Sequence, residues 1–230
     1  MTLGTAEKLR NLPETVQVTM DNILLVEDSQ KPEVLLGCHI QANLKWQAQI
    51  ENLLGKLINM IVGRMKSRFI VPYHLRKTIT EGQFNSVLAY CLPLFGGMGI
   101  GYIKDLQIMQ NKAARIVTSM PPRSERKIMF NKLGWLTINQ LVFYHTVIQV
   151  FKIRSNSEPE YLAAVLKHDN RNRRILIPNL DLRIAQDSFT VRGAQSWNLL
   201  PPSIREQGRI STFKKLVKKW VQENIQRFLD

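Results

Sequence analysis

The chain has 230 residues, of which 44% are hydrophobic and 22% are charged. This length predicts one large or two small domains with a sizeable core, and the composition excludes wholesale disorder. Two cysteines, Cys38 and Cys91, are too few to staple a chain of this length, so a disulfide scaffold is excluded as well.

The sequence offers no candidate for a membrane span or a secretory leader. A spanning helix needs about 20 consecutive apolar residues, and the best stretch, residues 50–62, is interrupted by Gly55 and Lys56. The first ten residues lack the apolar centre of a signal peptide. We therefore expect an intracellular protein of the cytoplasm or nucleus, with no membrane partner.

The positive charge is concentrated in the C-terminal half of the chain. The formal net charge is +14, from 32 Lys+Arg and 18 Asp+Glu. Residues 1–55 carry a net charge of −3, whereas residues 101–230 carry +12. Such an excess is typical of proteins that bind polyanions, nucleic acids above all. The alternative is a generally basic surface that is simply solvated.

Short apolar runs predict β-structure in the first forty residues. Residues 16–18 and 23–26 flank Asp21 and Asn22, which favour a tight turn. Residues 34–40 form a third apolar run after a polar break at 29–32. Together the three runs predict one small antiparallel sheet.

From Trp46 onward the apolar residues fall at helical spacing. The helix expected over residues 73–91 should kink or end near Pro93, and Gly96 to Gly99 should form a flexible connection. Thr137 should cap the helix expected over residues 138–154. This helix is apolar nearly all round and should lie in the middle of a bundle. The expected helices are 46–61, 73–91, 101–119, 138–154, 161–166 and an amphipathic one at 211–228, with a strand at 175–177.

These elements predict a mostly α fold: a helical bundle with a small N-terminal antiparallel β-sheet and a smaller α/β C-terminal part. We expect a β element over 1–45, a helical domain over 46–167 and a basic C-terminal region over 168–230. The polar, basic segment 168–174 marks the expected seam between the last two.

Four groups of cations are the candidate nucleic-acid-binding residues. On a helical wheel the helix expected over residues 101–119 has its apolar residues on one face and its three cations together on the other side. Each group can neutralise phosphates without reading base sequence, and for each the alternative is a solvated face. They are the helix cluster (Lys104, Lys112, Arg115), the turn cluster (Arg123, Arg126, Lys127), the loop cluster (Arg171, Arg173, Arg174) and the terminal cluster (Lys214, Lys215, Lys218, Lys219).

No recognisable active site is present in the sequence. Metal-assisted phosphoryl transfer needs neighbouring carboxylates, yet there is no Asp-Asp pair, and the one pair of adjacent acids, Glu27 and Asp28, falls at a predicted turn. Two cysteines 53 positions apart and four scattered histidines fit no usual zinc spacing. Phosphate-binding and dinucleotide-binding glycine motifs are also missing. We expect no catalytic residue, no bound metal and no cofactor.

Six motifs follow one another through residues 35–228, most of the chain. They are LLGCHI (35–40) with LKW (44–46), LQIMQNKAARI (106–116), LGWLTI (133–138), PEYL (159–162), SF (188–189) with a block from Gly193 through WNLLP (197–201) to IR (204–205), and FKK (213–215) before a terminal helix. In this order and with these gaps they resemble the region C-terminal to the palm in reverse transcriptases of LINE-type (non-LTR, jockey-like) retrotransposons.

The resemblance implies a fragment made of a primer-grip hairpin, a thumb and a C-terminal region. Leu36, Gly37 and Cys38 fall in the segment that resembles the primer-gripping hairpin. A thumb holds the template–primer duplex by its backbone while the palm does the chemistry, so RNA or DNA is the implied partner. The family's palm, with its aromatic-Ala-Asp-Asp site for Mg²⁺, and its endonuclease domain have no counterpart here. Mg²⁺ would thus belong only to the intact RNA-directed DNA polymerase.

The leading hypothesis is a non-catalytic fragment of such a reverse transcriptase that binds nucleic-acid backbone through basic helix faces. One alternative is an inert remnant or a repurposed protein-interaction module, whose basic faces would be buried in contacts or interrupted by acids. A second alternative is a chain that takes part in catalysis when a palm is supplied in trans.

Overall fold

A computed structural model describes residues 17–20, 23–26, 32–166, 168–169, 174–178, 183–224 and 228. The chain divides into two compact units, residues 1–56 and 57–230. The division falls inside helix α1 (Gln47–Ser67), eleven residues beyond the boundary that the sequence predicts at 45. The apolar stripe expected on this helix is confirmed, since Ile50, Leu53, Leu57 and Ile61 are buried.

The first unit contains two separate antiparallel hairpins rather than one sheet. Strand β1 (Gln17–Met20) pairs with β2 (Ile23–Val26), with Met20 opposite Ile23. Strand β3 (Glu33–Leu35) pairs with β4 (Cys38–Ile40), with Leu35 opposite Cys38. The expectation of a single strand over 34–40 was wrong, because a turn at Leu36 and Gly37 reverses the chain in the middle of the run. The expected turn at 21–22 lies outside the described residues.

The turn between β3 and β4 uses two left-handed residues. Leu36 has φ 47° and Gly37 has φ 79°. Two central residues with positive φ are characteristic of the tight hairpin turns whose twist matches that of the flanking strands. Within β4, the His39 N–H donates to Gln49 Oε1 at 2.9 Å and so connects the hairpin to the start of α1.

The second unit begins its helical bundle with an interrupted helix. Helix α2 (Tyr73–Thr80) continues through a π-helical turn (Glu81–Asn85) into the short helix α3 (Ser86–Ala89). Tyr90 is extended and Cys91 is left-handed, with φ 54°, before α4 (Leu92–Phe95) begins. The predicted helix 73–91 therefore ends at 89. Pro93 is accommodated in the first turn of α4, where its missing N–H costs nothing.

The centre of the second unit is formed by three helices. They are α5 (Ile100–Thr118), α6 (Arg126–Leu133) and α7 (Ile138–Asn156). The predicted cap of α7 is confirmed: Thr137 Oγ1 accepts from the Gln140 N–H, and Gln140 Oε1 accepts from the Thr137 N–H at 2.9 Å. Helix α6 was not predicted, because its eight residues carry little apolar periodicity. Residues 46–155, all of them described, contain no strand.

The C-terminal part of the second unit is built of short elements and one long helix. They are α8 (Glu160–Val165), the strand pair β5 (His168–Asp169) and β6 (Arg174–Ile175), α9 (Arg183–Gln186), α10 (Phe189–Leu199), α11 (Pro202–Arg205) and α12 (Ile210–Glu223). Helix α10 was not predicted, whereas α12 lies in the expected place and ends at Glu223.

Helix α7 lies at the centre of the bundle, as its all-round apolar character predicts. It packs against α4, α5, α10 and α12. Phe151 stacks on Phe213 of α12 at 4.4 Å between ring centroids, and Trp197 of α10 lies 5.8 Å from the same ring. The domain boundary expected at 168 therefore falls inside the second unit, because α10 and α12 share one hydrophobic core with α7.

The glycine-rich segment after α4 is packed closely rather than serving as a flexible connection. A Cβ on Gly96 would lie 2.6 Å from Val142 and 2.7 Å from the Arg192 guanidinium, and one on Gly97 would lie 2.5 Å from the Asp187 carbonyl oxygen. Arg192 donates to that carbonyl at 2.9 Å and to the Pro93 carbonyl at 2.7 Å. The glycines are needed because an arginine and a backbone segment pass over them.

The fold class is thus mostly α with small β elements near the N-terminus. Among the described helices, none combines the length and the apolar character that crossing a membrane would require.

Candidate nucleic-acid interface

The helix cluster is only partly exposed. Helix α5 buries Leu106, Ala113 and Val117 as predicted and leaves Lys104 and Lys112 exposed. Arg115 departs from the prediction: its side chain is half-buried, and its Nε is buried without a hydrogen bond to any described residue. Two of the three cations are therefore free to meet a phosphate, whereas Arg115 also fills space within the bundle.

The turn cluster approaches the helix cluster in space. Arg126 and Lys127 form the first turn of α6, where positive charge is disfavoured by the helix dipole, and Arg123 precedes that helix. All three are exposed. Lys104, Arg126 and Lys127, which we name the cleft cations, line one cleft of about 550 Å³. The other members of the two clusters lie outside this cleft.

The cleft is built where the N-terminal ends of three helices converge. Its walls come from α5, α6, α7 and the end of α12, and it is lined by Ile100, Ile103, Lys104, Gln107, Arg126, Lys127, Phe130, Asn131, Trp135, Thr137, Asn139, Gln140, Gln222, Glu223 and Phe228. Helix N-termini carry partial positive charge, which adds to that of the cleft cations. None of these three cations forms an ion pair with a described residue. The cleft cations and the helix N-termini should therefore attract anions.

One carboxylate shares the cleft with the three cations. Glu223 belongs to the end of α12, and its carboxylate lies 3.8 Å from the amine of Lys219. Both side chains are largely exposed, so this pair is worth little. The cleft is therefore asymmetric, with its cations on α5 and α6 and its acid on α12.

Buried glutamines hold the floor of the cleft together. Gln107 Oε1 accepts from the Ile138 N–H at 3.0 Å, and Gln110 Nε2 donates to the Leu136 carbonyl at 2.9 Å. Gln140 Nε2 donates to the Val221 carbonyl at 3.3 Å. These side chains satisfy backbone groups that are buried at the start of α7 and the end of α12. They are structural residues that position the cleft.

Sequence reasoning missed this amide network, although a signal for it was present. Gln107, Gln110 and Asn111 occupy positions i, i+3 and i+4 of an otherwise apolar face, and Gln107 Nε2 donates to both of the other side chains at 3.1 and 3.0 Å. Amides at this spacing on an inward face indicate buried hydrogen bonds. These three residues belong to the LQIMQNKAARI motif (106–116), one of the six on which the resemblance rests. Their hydrogen bonds stabilise the fold.

Three further motif residues are also structural. Trp135 donates its Nε1–H to Glu81 Oε1 at 2.9 Å, which ties the loop before α7 to the π-helical turn. Trp197 is 1% exposed, and Asn198 both donates to and accepts from the backbone of Ile175, at 2.8 and 2.9 Å. The structure thus explains these residues without any ligand.

None of the four lysines of the terminal cluster, which lie on α12, lines the cleft. Lys214, Lys215 and Lys218 are exposed, and Lys219 makes the weak pair described above. Lys214 lies near His145 of α7. Burial lowers the pKa of His145 most, and the positive charges of Lys214 and Lys152 lower it further.

Only one member of the loop cluster is within the described part of the chain. Arg174 is exposed at β6 and lies near Arg205. Burial lowers the pKa of Arg205 most, and the charge of Arg174 adds to the effect. Arg171 and Arg173 lie outside the described residues.

The three primer-grip-like residues have contrasting environments in the first unit. Leu36 is 84% exposed at the tip of the β3–β4 hairpin, next to Gly37, whereas Cys38 is 3% exposed. The hairpin therefore presents Leu36, together with the exposed Val34 and Leu35, and buries the thiol.

The described side chains form no group of three or more His, Cys, Asp or Glu residues that could hold a metal ion. No family model, curated protein or solved structure matches the chain. The fold and site thus define a mostly helical, strongly basic protein with a cationic cleft.

Proposed function

We propose that this chain binds the sugar–phosphate backbone of RNA or DNA through exposed cations around the cleft, and that it does not catalyse a reaction by itself. The observation that carries the proposal is the convergence of Lys104, Arg126 and Lys127, from two helices, without an acidic partner among the described residues. Lys112 and Arg123, both exposed on the same two stretches of chain, extend the set to five.

The chemistry of these groups favours backbone contact over base reading. Lysine amines and arginine guanidinia neutralise phosphates and release counterions, which gives affinity without sequence information. None of the five belongs to a long exposed helix face with amide side chains that could enter a major groove. The ligand that fits best is a duplex such as a template–primer, held in the manner of a polymerase thumb. The resemblance to LINE-type reverse transcriptases supports this choice of ligand.

Salt dependence tests the proposal directly. Five cations on phosphates give a slope of log K against log[salt] of about −4.5 for a blunt duplex. The variant Lys104→Ala/Arg126→Ala/Lys127→Ala should reduce the magnitude of that slope by about 2 to 3. It should keep the thermal stability of the parent, because all three side chains are exposed.

A matched control removes equal charge elsewhere. The variant Lys214→Ala/Lys215→Ala/Lys218→Ala also loses three exposed cations, all lysines of α12, and should keep the parental slope within about one unit. Arg115 is left unchanged in both variants, since its half-buried side chain would confound binding with stability. Equal slopes for the parent and the first variant would refute the cleft cations as the binding site.

A second candidate function, protein interaction, is favoured by one exposed apolar feature. Phe69 and Ile70 are 81% and 83% exposed in the loop between α1 and α2. Arg76 Nη1 donates to the carbonyls of Arg68 and Val71 and so fixes the loop that presents them. Exposed apolar side chains on a fixed loop are typical of contact sites. Against this reading, the described members of the helix, turn and terminal clusters are mostly exposed, with one weak acidic pair.

A further inference from the structure

The cleft is larger than contact with a phosphate backbone requires. Its volume of about 550 Å³ lies within the range of small-molecule sites. From its lining and charge we infer that it binds one unstacked nucleotide of a single-stranded segment, with the phosphate on the cleft cations and the base in the apolar interior. This inference rests on the proposed function, because the nucleotide belongs to the single-stranded template segment that continues from the duplex held by the exposed cations.

The phosphate end of the site is set by three side chains. Lys104 comes from the second turn of α5, and Arg126 and Lys127 come from the first turn of α6. Two cationic residues in a first turn oppose their own helix dipole, and a bound phosphate would offset that cost. An arginine can also bind two phosphate oxygens at once, which fixes the orientation of the group.

The base end of the site combines apolar surface with unused amides. Ile100 is 54% exposed and Ile103 is half-buried, so the flat face of a base can lie against them. The side-chain amides of Asn131 and Gln222 form no hydrogen bond within the described part of the chain. They are available for the edge of a base, whereas Gln107 and Gln140 already satisfy backbone groups.

Glu223 fixes the orientation of the nucleotide. Its carboxylate lies on the α12 side of the cleft and repels a phosphate, so the phosphate must face α5 and α6. A base oriented toward α12 can donate its N–H groups to the same carboxylate. Guanosine 5′-monophosphate, whose base carries adjacent N–H donors, is therefore a suitable probe.

The test is a titration of the full chain with guanosine 5′-monophosphate, followed by NMR. The Trp135 indole N–H, which donates to Glu81 and lines the cleft, should shift in a saturable manner. The Trp197 indole N–H, which is buried away from the cleft, should not shift. Inorganic phosphate should bind about tenfold more weakly than the nucleotide, since it makes only the cationic contacts.

Variants separate this site from non-specific charge. Lys104→Ala/Arg126→Ala should weaken nucleotide binding at least about tenfold, whereas Lys215→Ala/Lys218→Ala should change it less than about twofold. Asn131→Ala should weaken nucleotide binding and leave phosphate binding unchanged. Equal affinities for the nucleotide and phosphate, or equal effects of the two double variants, would overturn the inference.

The outcomes for this inference and for the proposed function are distinguishable. Blunt-duplex binding that keeps its salt slope, together with no shift of Trp135, would overturn the nucleotide site alone. Saturable nucleotide binding without any duplex binding would overturn the backbone function and retain the cleft as a nucleotide site.

Discussion

Gly97 lies under the backbone of a distant segment, which makes it the least replaceable small residue that the structure describes near α5. A Cβ at this position would lie 2.5 Å from the Asp187 carbonyl oxygen, an atom that cannot move away as a flexible side chain would. Gly97→Ala should therefore lower the free energy of unfolding in urea by about 1 to 3 kcal/mol.

Gly101 supplies the matched control for that change. It lies in the first turns of α5, and no atom lies within 4 Å of an added Cβ. Gly101→Ala should raise the free energy of unfolding by about 0.5 to 1 kcal/mol through helix propensity. Similar effects of the two substitutions would contradict the close packing over Gly97.

The hairpin turn at Leu36 and Gly37 allows a second pair of opposite predictions. Gly37 has φ 79°, so Gly37→Val should cost more than about 1 kcal/mol in the first unit, because a β-branched residue avoids this conformation. Leu36→Asn should stabilise by about 0.5 kcal/mol, since asparagine tolerates the left-handed φ of 47°. Hydrogen exchange of β3 and β4 amides reports on both, and unchanged exchange in Gly37→Val would show that the turn carries no strain.

At the scale of elements, the contact between α7 and α12 makes stability depend on pH. The folded-state pKa of His145 lies below its ordinary value of 6.5, mainly through burial and further through Lys214 and Lys152. As the pH falls through 6.5, the unfolded chain therefore takes up a proton that the folded chain does not. The free energy of unfolding should then decrease below pH 6.5 and be independent of this group above it.

Two substitutions check this assignment. His145→Gln should remove this part of the pH dependence, measured by urea unfolding between pH 5 and 8, a window set by the ordinary histidine pKa. Lys214→Gln should raise the pKa of His145, measured by NMR titration of the imidazole, because one positive neighbour is lost. A pKa of His145 that does not respond to Lys214→Gln would show that the two side chains are not neighbours.

At the scale of the whole molecule, we expect no polymerase activity from the chain alone. The sequence has no Asp-Asp pair, and the described residues bring no three metal-binding side chains together. Primer extension on a homopolymer template with Mg²⁺ or Mn²⁺ should stay at background, beside a known polymerase as positive control. Incorporation that survives repurification would contradict this expectation. If addition of a separate palm domain restored primer extension, the result would favour the alternative that the chain takes part in catalysis with a palm supplied in trans.

Local sequence predicted much of the fold. The apolar stripe of α1, the cap at Thr137, the central position of α7 and the amphipathic α12 all follow from patterns within about twenty residues. The failures have local causes as well: α6 is short and weakly periodic, and the run at 34–40 contains a turn that its apolar character concealed. For the site, exposure of Lys104 and Lys112 was predictable from helical spacing, whereas the half-burial of Arg115 was not.

The helical class, the faces of the long helices and the excess of positive charge follow from the amino-acid sequence alone, since they depend on neighbouring residues and on composition. Only the packing of the helices brings Lys104 and Arg126, 22 positions apart, to one cleft and places Gln140 beside the Val221 carbonyl, 81 positions away. The same packing makes some glycines tightly enclosed and leaves others in open space. Such convergence depends on how helices pack and cross, which is set by the complementarity of whole surfaces and is not encoded in any local period.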